Sequence, residues 1–202
     1  MGDNRPAVSA IKVKPEQILL RQLYPSDVTP EYVSWLNDSE TNKFLEVRHH
    51  APLSTEDIKS FVSDCIESKR HHWGIFLDGR HVGNVSCSVY NRRYRWTDVS
   101  NLIGDKTLQH SNVAKLALAG ALEYLFNKEK FHRISAGTYG NHFSGIALLT
   151  NLGFKKEGVF KDAAQVEGEF QDVTKFAILE DEWRSQDKRF PVINVEPPPW
   201  ER

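Results

Sequence analysis

Apolar and polar positions fall into short blocks, some alternating by two and others recurring every three to four residues, and the blocks predict most of the elements. Residues 18–23, ILLRQL, read as a short strand that runs into the turn-like Pro25-Ser26-Asp27. A helix is predicted over 30–37, with Thr29 able to cap it and Pro30 at its first position. A second helix starts at Ser54, whose spacing to Asp57 suits a capping box. It sets Ile58, Phe61, Val62, Cys65 and Ile66 at helical intervals and ends near Lys69. Residues 72–90 are two β-rich runs joined across Asp78-Gly79, a hairpin signature, and 97–104 make a further strand.

The stretch LQHSNVAKLALAG, 108–120, then leads into a helix reaching about Asn127 with a wide apolar face. Residues 133–139 are a strand, and HFSGIALLTNL is a helix stopped by Gly153. FKKEGVF, AAQVEG and FQDVTKFAILED finish as strands, the last two joined through Glu167-Gly168-Glu169. A meander followed by strand-helix-strand-helix-strand implies an α/β (α+β) domain with a mixed sheet over 18–183. Residues 1–17 are a polar arm without period, and the tail from 184 carries Pro197 to Pro199, which favours an extended chain.

Composition narrows the class. The 202 residues are 40% hydrophobic and 11% aromatic, as in a folded globular chain of one sizeable core. A net charge of −1 argues against a nucleic-acid binder. The two cysteines, Cys65 and Cys87, lie far apart in apolar contexts and suit reduced core residues rather than a disulfide or a metal. The pairs His49-His50 and His71-His72 lack metal-ligand spacing, so no metal is expected. No apolar run approaches the roughly 20 residues of a membrane span. The first residues lack a signal-peptide core, and Pro6 breaks a myristoylation pattern, so a cytoplasmic location is expected.

The segment IGDKTLQHSNVAKLALAGALEYLF, followed by HRISAGTYGNHFSGIALLTNLGFKKEG, resembles the GNAT (GCN5-related N-acetyltransferase) superfamily. The resemblance covers nearly all of the chain between the two tails. It implies a mixed, mostly antiparallel sheet of about seven strands with a splayed parallel pair and about four helices. It also implies acetyl-CoA or another short acyl-CoA as co-substrate, its pyrophosphate on the N-terminus of the central helix. The family's phosphate loop maps onto Gln109, His110, Ser111, Asn112, Val113 and Ala114, with Asn112 where glycine is usual. Asn tolerates left-handed backbone angles better than most residues, so a working cradle with Asn112 as substitute is expected. Asn141 and Ser144 match the motif that meets the pantetheine arm, and Asn141 also suits a helix N-cap. Backbone amides near Leu102 and Ile103 would polarise the thioester. A tyrosine that serves as proton donor in many members is Leu149 here, which leaves Ser144, a water or an unassisted thiolate.

For the base, Asp98 lies on a cleft strand, and Glu46 is walled in sequence by Phe44, Leu45 and Val47, a setting that raises a carboxylate's pKa. His49 and His50 are further candidates. The region EYVSWLNDSETNKFLEVRH, with Trp35, Arg48 and His49, resembles the acceptor side of the branch holding ribosomal-protein N-terminal acetyltransferases and nucleotide amino-sugar N-acyltransferases. Tyr90, Arg92, Arg93 and Arg95 interleave guanidinium groups with rings, a pattern suited to a nucleotide diphosphate and base, or to a solvated hairpin. The favoured expectation is N-acylation of a nucleotide-linked amino sugar for a surface polysaccharide. The alternatives are acetylation of a protein N-terminus and a non-catalytic acyl-CoA-binding protein; the sequence also leaves room for a homodimer.

Overall fold

The computed structural model describes residues 11–50, 52–166, 168–187 and 190–201. Among them are eight strands in one sheet: β1 (Ile18–Gln22), β2 (His72–Leu77), β3 (Arg80–Asn91), β4 (Trp96–Ile103), β5 (Arg133–Tyr139), β6 (Lys155–Val166), β7 (Glu169–Leu179) and β8 (Asn194–Val195). Five α-helices accompany them: α1 (Pro30–Asn37), α2 (Thr55–Glu67), α3 (Val113–Asn127), α4 (Phe143–Asn151) and α5 (Glu180–Arg184). The spatial order is β6-β7-β5-β4-β3-β2-β1-β8. Neighbours are antiparallel except β4 with β5 and β1 with β8, which are parallel.

Period-two alternation divides the core between the two faces. Trp73, Ile75, Val85, Cys87, Val99 and Ile103 pack with α3 on one face. Phe76 and Leu102 pack with Tyr32 and Trp35 of α1 and Ile58 and Val62 of α2 on the other. Local signals set the helix starts as the sequence indicates. Thr29 Oγ1 accepts from the Tyr32 N–H at 3.2 Å. Ser54 Oγ accepts from the Asp57 N–H at 3.2 Å, while Asp57 Oδ2 accepts from the Ser54 N–H at 2.8 Å. The β2–β3 turn places Asp78 and Gly79 at φ 49° and 81°, as a two-residue hairpin requires.

Three features depart from expectation. Residues 155–166 form one strand whose register slips between Phe160 and Ala164, so a bulge stands where two strands are expected. The end of the last long strand turns into α5, because Glu182 Oε2 accepts from the Leu179 N–H at 2.9 Å and starts a helix. The tail supplies β8, which pairs with β1 through Leu19↔Asn194 and Leu20↔Val195. Gly120 permits this docking: a Cβ there would stand 2.4 Å from Ile193, which is buried beside α3. Glu167 and residues 1–10, expected in a turn and in the arm, lie outside the described residues. No helix among the described residues is long and apolar enough to cross a membrane.

Candidate active site

Strands β4 and β5 stay paired for only three steps, Trp96↔Arg133, Thr97↔Ile134 and Asp98↔Ser135. Beyond Asp98, β4 follows β3 while β5 follows β7, so the two part and leave a wedge in the sheet. The Gly104 N–H donates to Val82 O at 2.9 Å. Alternation therefore turns the Leu102 amide into the β3 ladder and those of Asn101 and Ile103 toward the wedge. Of the two amides expected to face the wedge, that of Ile103 does and that of Leu102 does not, its place on that side being taken by the Asn101 amide; the Leu102 side chain lies in the α1–α2 cluster.

The phosphate-type loop sits where α3 begins. Gln109 and His110 are exposed, and the Ala114 amide falls in the first helical turn, where no intrahelical acceptor exists. Val113 is fully buried and its N–H is taken by Ser111 Oγ at 3.2 Å, so Val113 anchors the loop rather than donating outward. Asn112 has φ −85° and ψ 4°, so it is not left-handed, and the expected reason for asparagine is corrected. Its side chain instead accepts from the Val13 N–H at 2.7 Å and donates to Val13 O at 2.8 Å. Asparagine is present because its amide clasps another segment of backbone.

The chain matches the family described as "Acetyltransferase (GNAT) domain" over residues 17–155. It belongs to the GNAT acetyltransferases. The "Probable N-acetyltransferase YjcK" of Bacillus subtilis (strain 168) is 29% identical over 115 residues, 56% of this chain and 64% of that protein. This chain therefore spans just under two thirds of that relative's length. The "[Ribosomal protein uS5]-alanine N-acetyltransferase" of Escherichia coli (strain K12) is 33% identical over 67 residues, 33% of this chain and 34% of that one. Among solved structures, spermidine N-acetyltransferase from Vibrio cholerae, in complex with CoA and spermine, superposes with a TM-score of 0.76 at 19% identity. That match covers 84% of this chain and 99% of the other, and at such identity it speaks to the fold alone.

On the α1–α2 face of this GNAT sheet lies a cavity of about 790 Å³, reached by Asp98, Glu46, Tyr139, Lys175, Ser86 and Tyr32 among others. Asp98 stands at the last β4–β5 pair and accepts from Ser135 Oγ at 3.0 Å. Burial pushes its carboxyl pKa up, against the opposing pull of Ser135, Lys175 and Ser88. Ser88 is the extra residue of a bulge in β3, where the register slips between Cys87 and Val89. Glu46 is exposed at the cavity rather than walled by its apolar neighbours, and its Oε1 accepts from the Tyr139 hydroxyl. Arg48 donates to the same hydroxyl at 2.9 Å and to Gln165 O at 2.7 Å, with its guanidinium 4.7 Å from the Tyr139 ring centre. Burial, then Glu46, pushes the Tyr139 pKa up. The Tyr139–Glu46 contact spans 93 residues of sequence, and no local pattern announces it.

The other expected residues lie elsewhere. Asn141 and Ser144 are exposed at the start of α4, whose N-cap is His142, not Asn141. The His142 ring stacks on Phe44 at 4.1 Å, and its Nδ1 is 3.1 Å from Thr138 Oγ1. Leu149 is buried in the core. Trp35 is a core residue packed against Gly104, and His49 is exposed outside the cavity lining.

The arginine hairpin is also corrected, because its groups are engaged at the paired end of the wedge. The Tyr90 hydroxyl accepts from the His71 N–H at 3.0 Å, and Arg92 donates to Glu129 at 2.8 Å. Arg95 donates to Lys130 O at 2.6 Å, and Arg93 lies over Tyr94. None of Tyr90, Arg92, Arg93 and Arg95 lines the large cavity.

Proposed function

We propose that this chain transfers an acetyl or similarly short acyl group from an acyl-CoA to a primary amine that enters from the α1–α2 face. The observation that carries this reading is the position of Asp98: a shielded carboxylate at the point where β4 and β5 part, open to the cavity. The residues present fit an acyl-CoA. The wedge offers the outward amides of Asn101 and Ile103, and the first turn of α3 offers the Ala114 amide with the positive end of the helix dipole. When bound, acyl-CoA supplies a thioester activated toward amines. Asp98 accepts the proton that the ammonium must lose, and the amides of Asn101 and Ile103 serve as donors to a carbonyl oxygen in the wedge. Leu149 offers no proton for a departing thiolate, whose own basicity is modest enough to leave unassisted.

For the acceptor we infer the N-terminal amine of a polypeptide. The cavity lining sets Glu46, Asp57 and Asp98 against Arg70 and Lys175, an excess of carboxylate that suits a cationic amine. The Escherichia coli relative named as an alanine N-acetyltransferase of ribosomal protein uS5 supports the same class. The nucleotide-linked amino sugar loses the support of the arginine hairpin, none of whose arginines lines the cavity.

Incubation with acetyl-CoA and, in separate reactions, an alanine-initiated peptide, spermidine and a UDP-linked amino sugar tests this, with acetylated product read by mass spectrometry. The peptide is the expected product. An acetylated sugar beside an unmodified peptide reverses the acceptor, and no product from any amine leaves only the acyl-CoA-binding alternative.

A further inference from the structure

At the inner end of the cavity, three side chains from three elements form a chain of hydrogen bonds. The Tyr32 hydroxyl on α1 is 2.9 Å from His72 Nε2 on β2, and His72 Nδ1 is 2.7 Å from Ser86 Oγ on β3. Tyr32 and His72 are buried, whereas Ser86 is half-buried, and all three reach the cavity. Burial, then the nearby His81 and Arg70, pushes His72 down to about 3, so the imidazole is neutral at working pH. A neutral imidazole between two hydroxyls donates on one side and accepts on the other, in either sense. The outer hydroxyl, Ser86, can therefore present a donor or an acceptor to the cavity with its polarity backed from behind, but no charge.

Register fixes where this point stands relative to the base. Ser86 pairs with Ser100, which lies two residues beyond Asp98 on the same face of β4. Two strand residues and one interstrand step separate the two positions by roughly 8 Å. Hydrogen bonds of about 2.9 Å at each end leave about 2–3 Å. The atom Ser86 would bond is then the carbonyl oxygen or the following amide nitrogen of an N-terminal residue, about 3 Å from its α-amine across three bonds.

We propose that Ser86, positioned by His72 and Tyr32, selects the acceptor through a hydrogen bond to an uncharged group one carbon from the reacting amine, the first peptide carbonyl or amide. Ser86 is the contact, and His72 and Tyr32 act through it. This rests on the polypeptide acceptor inferred above and specifies which of its atoms is read.

Alaninamide and isopropylamine test it, because they differ by a carboxamide in place of a methyl group. Acetyl-CoA turnover on each gives a ratio of kcat/KM values, and comparing that ratio between variant and wild type cancels the intrinsic reactivity of the two amines. Ser86→Ala should lower that ratio about tenfold, mainly through KM for alaninamide. Ser86→Thr, which keeps the hydroxyl, should restore most of it. Tyr32→Phe should move the ratio in the same direction by a smaller factor, and its ring preserves the packing if the serine variant fails to fold. Wild-type protein that acetylates alaninamide, with the ratio unmoved in Ser86→Ala or in Tyr32→Phe, overturns this proposal alone. Wild-type protein that fails to acetylate alaninamide, whether or not it acetylates spermidine or the UDP-linked amino sugar, overturns the polypeptide reading and this proposal with it.

Discussion

Asp98 is asked to serve two incompatible ends. Burial raises its carboxyl pKa, so folding leaves it less ready to ionise than in the unfolded chain. A raised carboxyl favours the folded state below the unfolded pKa near 3.8, and that contribution is lost as pH rises through the folded value. At neutral pH the ionised group therefore costs stability, while the proposed mechanism needs it as a base. Asp98→Asn is expected to lower kcat/KM by about 10²–10⁴ and to raise Tm at pH 7. The wild-type profile of log kcat/KM should bend down on the acid side at a pH above 3.8, and the variant should lack that limb. A variant that keeps wild-type turnover would remove Asp98 from the chemistry.

Glu129 shows the opposite sign. Burial opposes its charge, but hydrogen bonds from His71 and Arg92 outweigh that and hold it at about 2. Its contribution is present above 4.5 and is lost as pH falls from there through about 2. Glu129→Ala leaves His71 buried without that hydrogen-bond partner and is expected to cost about 1–3 kcal/mol at neutral pH, read by denaturant unfolding. Below pH 3 the difference between the two proteins should shrink.

At the scale of elements, the clasp between Asn112 and Val13 joins the loop before α3 to the segment that leads into β1. Both hydrogen bonds are short and Val13 is buried in the core, so Asn112→Ala leaves a backbone pair without its partner. The expected cost is about 1–3 kcal/mol. Amide hydrogen exchange should rise at Val13 and its neighbours, more than at α2 or β7. Asn112→Gly should behave the same way, because the position needs the side-chain amide rather than a left-handed backbone.

Signals within a few residues were legible in the sequence. The Thr29 and Ser54 caps and the Asp78-Gly79 turn act on their own elements, and those elements stand where the pattern puts them. The loop at 109–114 was legible through its resemblance, as was the parting of a parallel strand pair. Interactions closed by distant segments were not. Asn112 with Val13, Tyr139 with Glu46 and the tail strand on β1 join residues from about 90 to 175 positions apart. Arginines among aromatics looked like a ligand site because sequence shows charge and spacing but not the carboxylates, such as Glu129, that fold against them.

For the whole molecule, the parted strands matter most, because a sheet opened at its centre forgoes ladder hydrogen bonds that a closed one would have. A ligand that fills the wedge and meets those amides binds the folded chain and not the unfolded one. CoA at a hundred times its Kd should therefore stabilise the protein by about 2.7 kcal/mol. For a chain of this length each kcal/mol is worth about 2–4 °C, so Tm should rise by about 5–10 °C. Acetyl-CoA should act at least as strongly, since its acyl group adds apolar surface to bury, and neither should act by charge alone. Inorganic pyrophosphate at the same concentration, expected at the helix N-terminus and not in the wedge, should give a much smaller shift. Equal shifts from pyrophosphate and CoA would place the ligand on the loop alone, and no shift from CoA would refute the wedge as its site. In Asn112→Ala the CoA shift should shrink, because part of the binding energy then re-forms the loop that Val13 holds in the wild-type protein.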